Sequence, residues 1–182
     1  MSQPEEITDP AVLKAMAHPL RRRIVAELRR GPASATTLAA ALQENTGSTS
    51  YHLRELAKHG FVEDEPSLGK GKERWWRVVK RDLRYPRRYE QSAEMAAALD
   101  ELNAVQLAED LAAWKEFQAQ SGGMGSWGDA VPYSRGSIVV TQEELGEFFE
   151  DYLALLKRYW REDVPADARE VLLRFIAFPK PE

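Results

Sequence analysis

Apolar positions recur at helical spacing along most of the chain, broken by short runs in which β-branched and aromatic residues sit between turn residues. Thr8 or Asp9 followed by Pro10 marks the first helix start, because a proline at the first helical position gives up a donor that would be unpaired anyway. Val12, Leu13 and Met16 form its stripe. His18-Pro19 restarts the chain, since a residue before proline avoids the helical region, and a second helix carries Leu20, Ile24, Val25 and Leu28 to a stop at Gly31. Ser34 caps a third helix, ATTLAAALQ, with Leu38, Ala41 and Leu42 apolar. Residues 43–46 then lead into NTGSTSYHLRELAKHG, which places Thr49, Leu53, Leu56 and Ala57 on one side and ends at Gly60.

Two extended segments follow, FVEDE at 61–65 and ERWWRVV at 73–79, joined by PSLGKGK. Residues 89–120 contain no Pro or Gly and space Met95, Leu99, Leu102, Val105, Leu107, Leu111, Trp114 and Phe117 as one long helix. SGGMGSWGD at 121–129 breaks it. GSIVVT at 136–141 reads as a strand, Thr141 with Glu144 as a capping box for a helix over 142–161, and EVLLRFIAFP at 170–179 as a second strand stopped by Pro179. Leu145, Phe148, Phe149, Tyr152, Leu156 and Tyr159 are the expected buried stripe of that helix.

Charge divides the chain. Lys14 to Arg88 holds 17 Lys and Arg against 8 Asp and Glu, whereas Tyr89 to Glu182 holds 8 against 18. A net charge of −4 therefore conceals a basic first half and an acidic second half, which points to a basic functional face on the former. No cysteine is present, which excludes disulfides and thiolate metal sites and fits a reducing compartment; no apolar run is long enough for a bilayer, and the acidic start is unlike a secretory signal. A cytoplasmic protein is expected.

The close pair of helices ending at Gly60 has the arrangement of a helix-turn-helix. Its second member turns Ser48, Ser50, Tyr51, Arg54, Glu55 and Lys58 outward: hydroxyls that permit close approach, an Arg able to fork onto a guanine edge or phosphate, and a Lys near the backbone. Most amphipathic helices also have a polar outer side, so this feature gains weight from its flanks. The hairpin over 61–79 suits a wing whose Lys70, Lys72 and Arg74 neutralise phosphates. Arg21, Arg22 and Arg23 form either a second phosphate contact, for which Arg22 is taken forward, or a solvated face. Trp75 and Trp76 point to opposite faces of their strand, so one packs and the other is partly exposed.

The segments MAHPLRRRIVAEL (16–28), LAAAL (38–42), TSYHLRELAKHGFVE (49–63) and ERWWRVV (73–79) together resemble a winged-helix repressor of the ArsR type, in the branch with an added C-terminal domain. The resemblance covers about residues 11–80. It implies that Thr46, Gly47, Ser50, Tyr51 and Arg54 meet DNA; Ser48 and Lys58 are added from the helical projection. Glu44 departs from the family pattern, standing where an apolar residue is usual. The expected fold is α+β, mainly α: a winged helix-turn-helix domain over 1–85, then residues 86–182 with a long helix at 88–120 and a small strand-helix-strand domain at 136–179.

At about 1.5 Å per residue the long helix reaches roughly 45 Å, more than a chain of this size covers alone. A second copy is the natural cover, with Leu99, Leu102, Val105, Leu111 and Trp114 as dimerisation residues and packing within the chain as the alternative. The function expected is a homodimeric, sequence-specific regulator of transcription, a repressor rather than an activator, acting on double-stranded DNA with inverted repeats. A winged-helix protein-interaction module without sequence-specific DNA binding is the alternative. Family members that sense metals do so through Cys and His ligands, and this chain has no Cys-x-Cys; His18, His52 and His59 all lie in the first half, so no metal or other cofactor is expected. His52 is read first as structural, near the wing, and second as a DNA contact, and His59 as an exposed residue at a helix end. Trp114, Trp127, Tyr133 and Trp160 line an effector pocket for a small molecule or else are core and interface. No phosphate loop, nucleophile elbow or paired carboxylates stand out, so there are no candidate catalytic residues.

Overall fold

A computed structural model describes residues 5–69, 73–161 and 163–181. A two-residue strand, β1 (Glu5–Glu6), precedes α1 (Pro10–Ala17). Asp9 caps α1 by accepting the Ala11 N–H at 2.8 Å, and the helix stops where His18-Pro19 forces extended backbone. The second helix, α2 (Pro19–Arg30), begins directly afterwards, followed by β2 (Ala33–Ser34) and α3 (Ala35–Leu42). Ser34 Oγ caps α3 through the Thr37 N–H at 3.2 Å. Gln43, in the left-handed region at φ 56°, turns the chain toward α4 (Thr46–Lys58). Asn45 Oδ1 caps α4 by accepting the Ser48 N–H at 2.7 Å.

Gly60 leaves α4 with φ +71°, and the position is doubly restricted, because a Cβ there would meet the Arg81 guanidinium at 2.5 Å. That guanidinium donates to the carbonyls of His59 and Gly60 and pairs with Glu5, so it fastens the end of α4 to the N-terminal strand. The wing consists of β3 (Val62–Asp64) and β4 (Trp75–Val78), antiparallel with Val62 opposite Val78 and Asp64 opposite Trp76. β2 pairs with the other edge of β4, giving the order β2-β4-β3. Trp76 is buried and Trp75 half-buried, as the alternation requires. A second small sheet pairs β1 in parallel with β5 (Leu83–Arg84).

One core gathers Leu20, Ile24, Val25 and Leu28 of α2, Leu38 and Leu42 of α3, Leu53 and Leu56 of α4, Val62 and Trp76. A neighbouring core joins Ile7 and Leu13 to Met95, Ala98 and Leu102 at the start of α5 (Ala93–Gln120). Ser92 caps α5 through the Met95 N–H. Only the first third of this helix is buried, whereas Leu107, Leu111 and Trp114 are exposed. The expectation that all five dimerisation residues face a second copy is therefore corrected for Leu102, which closes the chain's own core, and qualified for Leu99, which leans on it; Val105 is half-buried. The cause is α1, whose Leu13 lies against the start of α5.

The described chain forms two compact units, Met1–Ala130 and Val131–Glu182, so residues 86–130 group with the first unit rather than with the tail. In the second unit α6 (Gln142–Lys157) carries the expected capping box: Glu144 N–H donates to Thr141 Oγ1 at 3.2 Å, and Thr141 N–H to Glu144 at 2.6 Å. The two flanking strands do not form. Residues 136–141 and 170–179 lie outside any ladder, with Val139 fully exposed and Leu172 and Phe178 open to solvent. β-branched composition favours a pleated surface but makes no strand without a paired edge, and Phe175 instead lies against Phe148, Phe149 and Tyr152 of α6, with ring centroids 5.8, 5.8 and 4.7 Å away. Leu145, Phe149, Tyr152 and Leu156 are half-buried, while Phe148 and Tyr159 stay exposed. Among the described residues no helix is long and apolar enough to cross a membrane.

Since Leu102 is almost wholly enclosed, Leu102→Ala is expected to cost about 2–5 kcal/mol in urea unfolding of the full chain, through lost transfer energy and an unfilled cavity.

Candidate nucleic-acid interface

The outward side of α4 is fixed by its inward side. Thr49, Leu53 and Leu56 are 0% exposed, and Thr49 also returns its hydroxyl to the Asn45 carbonyl at 3.0 Å. Rotation of the helix would bring these residues into water, so the opposite side is held outward. There Thr46, Gly47, Tyr51, Arg54 and Lys58 are exposed and Ser48 and Ser50 half-buried, one continuous surface from the first turn to the last. Tyr51 retains 53% of its area in solvent. Arg54 and Lys58 make no ion pair with a described residue, which leaves their charges available to a polyanion.

The other predicted contacts behave differently. Arg22 is a correction: its side chain is only 10% exposed, and its guanidinium donates to both Glu109 carboxylate oxygens at 2.8–3.0 Å and to the carbonyls of Met16 and Ala17. It satisfies the end of α1 and ties it to α5, and a phosphate would have to displace all of these partners. Arg74 is exposed, paired with Asp64 at 3.2 Å, and has its guanidinium carbon 5.3 Å from the Trp76 ring centroid. Such an exposed pair is weak and can be exchanged for a phosphate. Lys70 and Lys72 lie outside the described residues.

Much of the basic excess of the first half is used internally. Arg23 pairs with Glu44 at 2.9 Å and donates to the Leu42 carbonyl, Arg77 pairs with Glu63 and Glu65, Arg81 with Glu5, and Arg88 with Asp100. Glu44, the departure from the family pattern, thus has a structural occupation: it anchors α2 to the turn before α4. Sequence reasoning missed this contact, since nothing local links Glu44 to a residue 21 positions earlier. Arg88 holds the Asp100 carboxyl below its ordinary range by direct hydrogen bonding, and Arg81 does the same to Glu5.

A second missed feature lies behind α4. His18 caps α2, its Nδ1 accepting the Leu20 N–H at 3.2 Å, and its ring stands 4.3 Å from that of His52. His52, on α4, is buried, and the ring it meets is that of His18 at the start of α2 rather than one of the wing. Burial holds both imidazoles below the ordinary histidine value, with Arg21 and Arg22 acting in the same direction on His18, and His18 and Arg21 on His52. No group of three or more His, Cys, Asp or Glu among the described residues is placed to hold a metal ion.

Of the aromatic residues considered for an effector pocket, Trp114 and Trp127 lie in the first unit, and Tyr133 and Trp160 lie exposed in the second. Trp114 stacks on Phe117 at 5.6 Å.

Folding and recognition are separable on α4. Asn45→Ala removes the cap and is expected to cost about 1 kcal/mol of stability. Arg54→Ala should change urea stability by less than about 0.5 kcal/mol, because the side chain supports nothing in the fold.

A family model described as a helix-turn-helix domain matches residues 16–65. No curated protein matches the chain. Among solved structures, a fragment (residues 1–100) of a possible transcriptional regulatory protein from Mycobacterium bovis is 22% identical, covering 55% of this chain and 88% of that one with a TM-score of 0.37. A solution structure of a homodimeric winged helix-turn-helix DNA-binding domain from the same organism, a possible ArsR-family regulator, is also 22% identical, covering 55% and 76% with a TM-score of 0.36. The transcriptional repressor BigR from Xylella fastidiosa is 22% identical over 54% of this chain and 82% of its own, with a TM-score of 0.35. Capped helices α3 and α4 and the three-residue turn between them fall inside the matched stretch: from Met16 to Glu65 the chain is similar to the helix-turn-helix domain family.

Proposed function

We propose that the chain is a homodimeric, sequence-specific DNA-binding regulator of transcription that acts as a repressor. The observation that carries this reading is the outer side of α4: Tyr51, Arg54 and Lys58 are exposed together with small hydroxyl residues, on a helix that its buried side prevents from turning. Arg54 serves as the base-reading group, able to fork onto a guanine edge, and Lys58 as a phosphate contact. The wing adds phosphate contacts from Arg74 and, by sequence, from Lys70 and Lys72.

The second copy is assigned to the far two-thirds of α5. Leu107, Leu111 and Trp114 recur at spacings of four and three, one apolar stripe left open by its own chain. Two protomers related by a two-fold axis present their reading helices to half-sites about one helical turn apart, or a multiple of it, so the operator is an inverted repeat. The acidic tail, Val131–Glu182, is the part left for an effector, which would act by binding the DNA-competent and DNA-incompetent states with different affinity.

Selection of duplexes from a random pool by the full chain, followed by footprinting, should recover an inverted repeat; equal retention of every sequence would remove the reading in favour of a protein-interaction module. On the selected duplex Arg54→Ala should lose about 1–3 kcal/mol of binding and relax preference at one base position per half-site. Replacing Lys70 and Lys72 together with Ala should weaken all sequences alike and make affinity less dependent on salt. Sedimentation should give a dimer, and Leu111→Glu with Trp114→Glu should shift it to monomer.

A further inference from the structure

Three rings run in contact from the start of α2 to the outer side of α4. His18 is open to solvent and stands 4.3 Å from His52, which is buried. His52 meets Tyr51 edge-on, at 5.2 Å and 73°. Tyr51 makes no hydrogen bond with a described residue, and the edge-on His52 ring lies along one side of its own ring on the exposed surface. The Nδ1 of His52 is buried without a partner among the described residues, so no hydrogen bond there holds a proton or an orientation of its own. Its place depends on the rings on either side.

We propose that His18 and His52 are positioning residues that hold Tyr51 in its reading orientation while both are neutral, and that protonation of His18 releases it, making duplex recognition sensitive to acid. The proposal rests on the reading of α4 as the DNA-reading helix.

The chemistry follows from the cap. Because His18 Nδ1 accepts the Leu20 N–H, the neutral ring carries its proton on Nε2. A second proton can go only to Nδ1. It consumes the lone pair, breaks the cap and places a cation against the His52 ring. Arg21 and Arg22 of α2 oppose that charge, Arg22 with part of its own offset by Glu109 of α5. Glu44 in the turn before α4 and Glu55 on α4 favour a proton on His52. From α1 come the carbonyls of Lys14, Met16 and Ala17, all engaged by these two arginines.

Burial and the arginines prevail, and both rings resist protonation relative to the ordinary value of 6.5. The unfolded chain therefore binds these protons first as pH falls. Stability from the pair is fully present above about pH 6.5 and is lost as pH drops from there through the lower values of the folded state. His18, being open to solvent, is the point of entry.

The test compares the full-length wild type with His18→Asn combined with His52→Phe. Asn keeps a cap acceptor that does not titrate, and Phe keeps a ring beside Tyr51. Two quantities are read: the Tyr51 ring signal of the DNA-free protein in carbon-13 tyrosine NMR, identified with Tyr51→Phe, and Kd at pH 8 and 5.5 for a duplex selected by the wild type. The wild-type Tyr51 signal should titrate with the His18 midpoint, and affinity should fall by about threefold to fivefold at pH 5.5, part of the tenfold limit that one unit of pKa difference between bound and free states sets below both values. In the double variant the signal should stay flat and affinity change less than about 1.5-fold, well below the wild-type loss. His59→Asn should behave as wild type. Should His52→Phe prevent folding, His18→Asn alone decides, since it removes the solvent-open proton site.

A Tyr51 signal that follows neither histidine, or a pH profile unchanged in the variant, overturns the proposal. If the Tyr51 titration is present while no duplex is preferred over another, the positioning device stands and the DNA reading of α4 falls.

Discussion

The exposed surface of α4 exists because the opposite side cannot leave the core. Thr49, Leu53 and Leu56 have no contact with solvent, and each buried leucine is worth about 1.5–3 kcal/mol against exposure. α2 supplies the wall against which they pack, and β3 and β4 close the other side through Val62 and Trp76. Asn45 at one end and Gly60 with Arg81 at the other fix where the helix starts and stops. The exposed side chains of α4 are thereby held in place by residues that never reach the surface.

Electrostatics then select among the cations. A simple count gives the first half a large positive excess, yet Arg22, Arg23, Arg77, Arg81 and Arg88 are matched with carboxylates from the same chain. Most of these pairs are exposed and contribute little to stability, so their effect is to lower the field of the fold rather than to strengthen it. The charges left without such partners on α4, Arg54 and Lys58, lie on the side that its burial turns outward. Position, more than total charge, defines the candidate interface.

The helices were legible in the sequence because their ends are local chemistry. Asp9-Pro10, Ser34 and the Thr141–Glu144 box each act within three residues, and each caps the helix its position suggests, whereas the Asn45 cap of α4 emerged only in the structure. The exposed side of α4 was legible too, since helical periodicity sorts the helix into a buried and an outward side. Arg22 was not, because its carboxylate lies 87 positions away and an arginine run looks the same whether solvated or clamped. Leu102 and Leu111 stand nine residues apart, on opposite sides of α5, and the chain's own core covers only the side that carries Leu102. In the tail, strand-like composition at 136–141 and 170–179 named a preference whose fulfilment depends on an edge to pair with, which a preference alone does not provide.

The grip of Arg22 gives α5 a mechanical character. One guanidinium ties the middle of a 28-residue helix to the corner where α1 hands over to α2. Beyond Glu109 the helix runs on for about three more turns, as an arm does past its fulcrum. A small tilt of the far end must either stretch several charge-assisted hydrogen bonds at once or carry the corner with it. Such a joint passes on torque in full or lets go, with little range between.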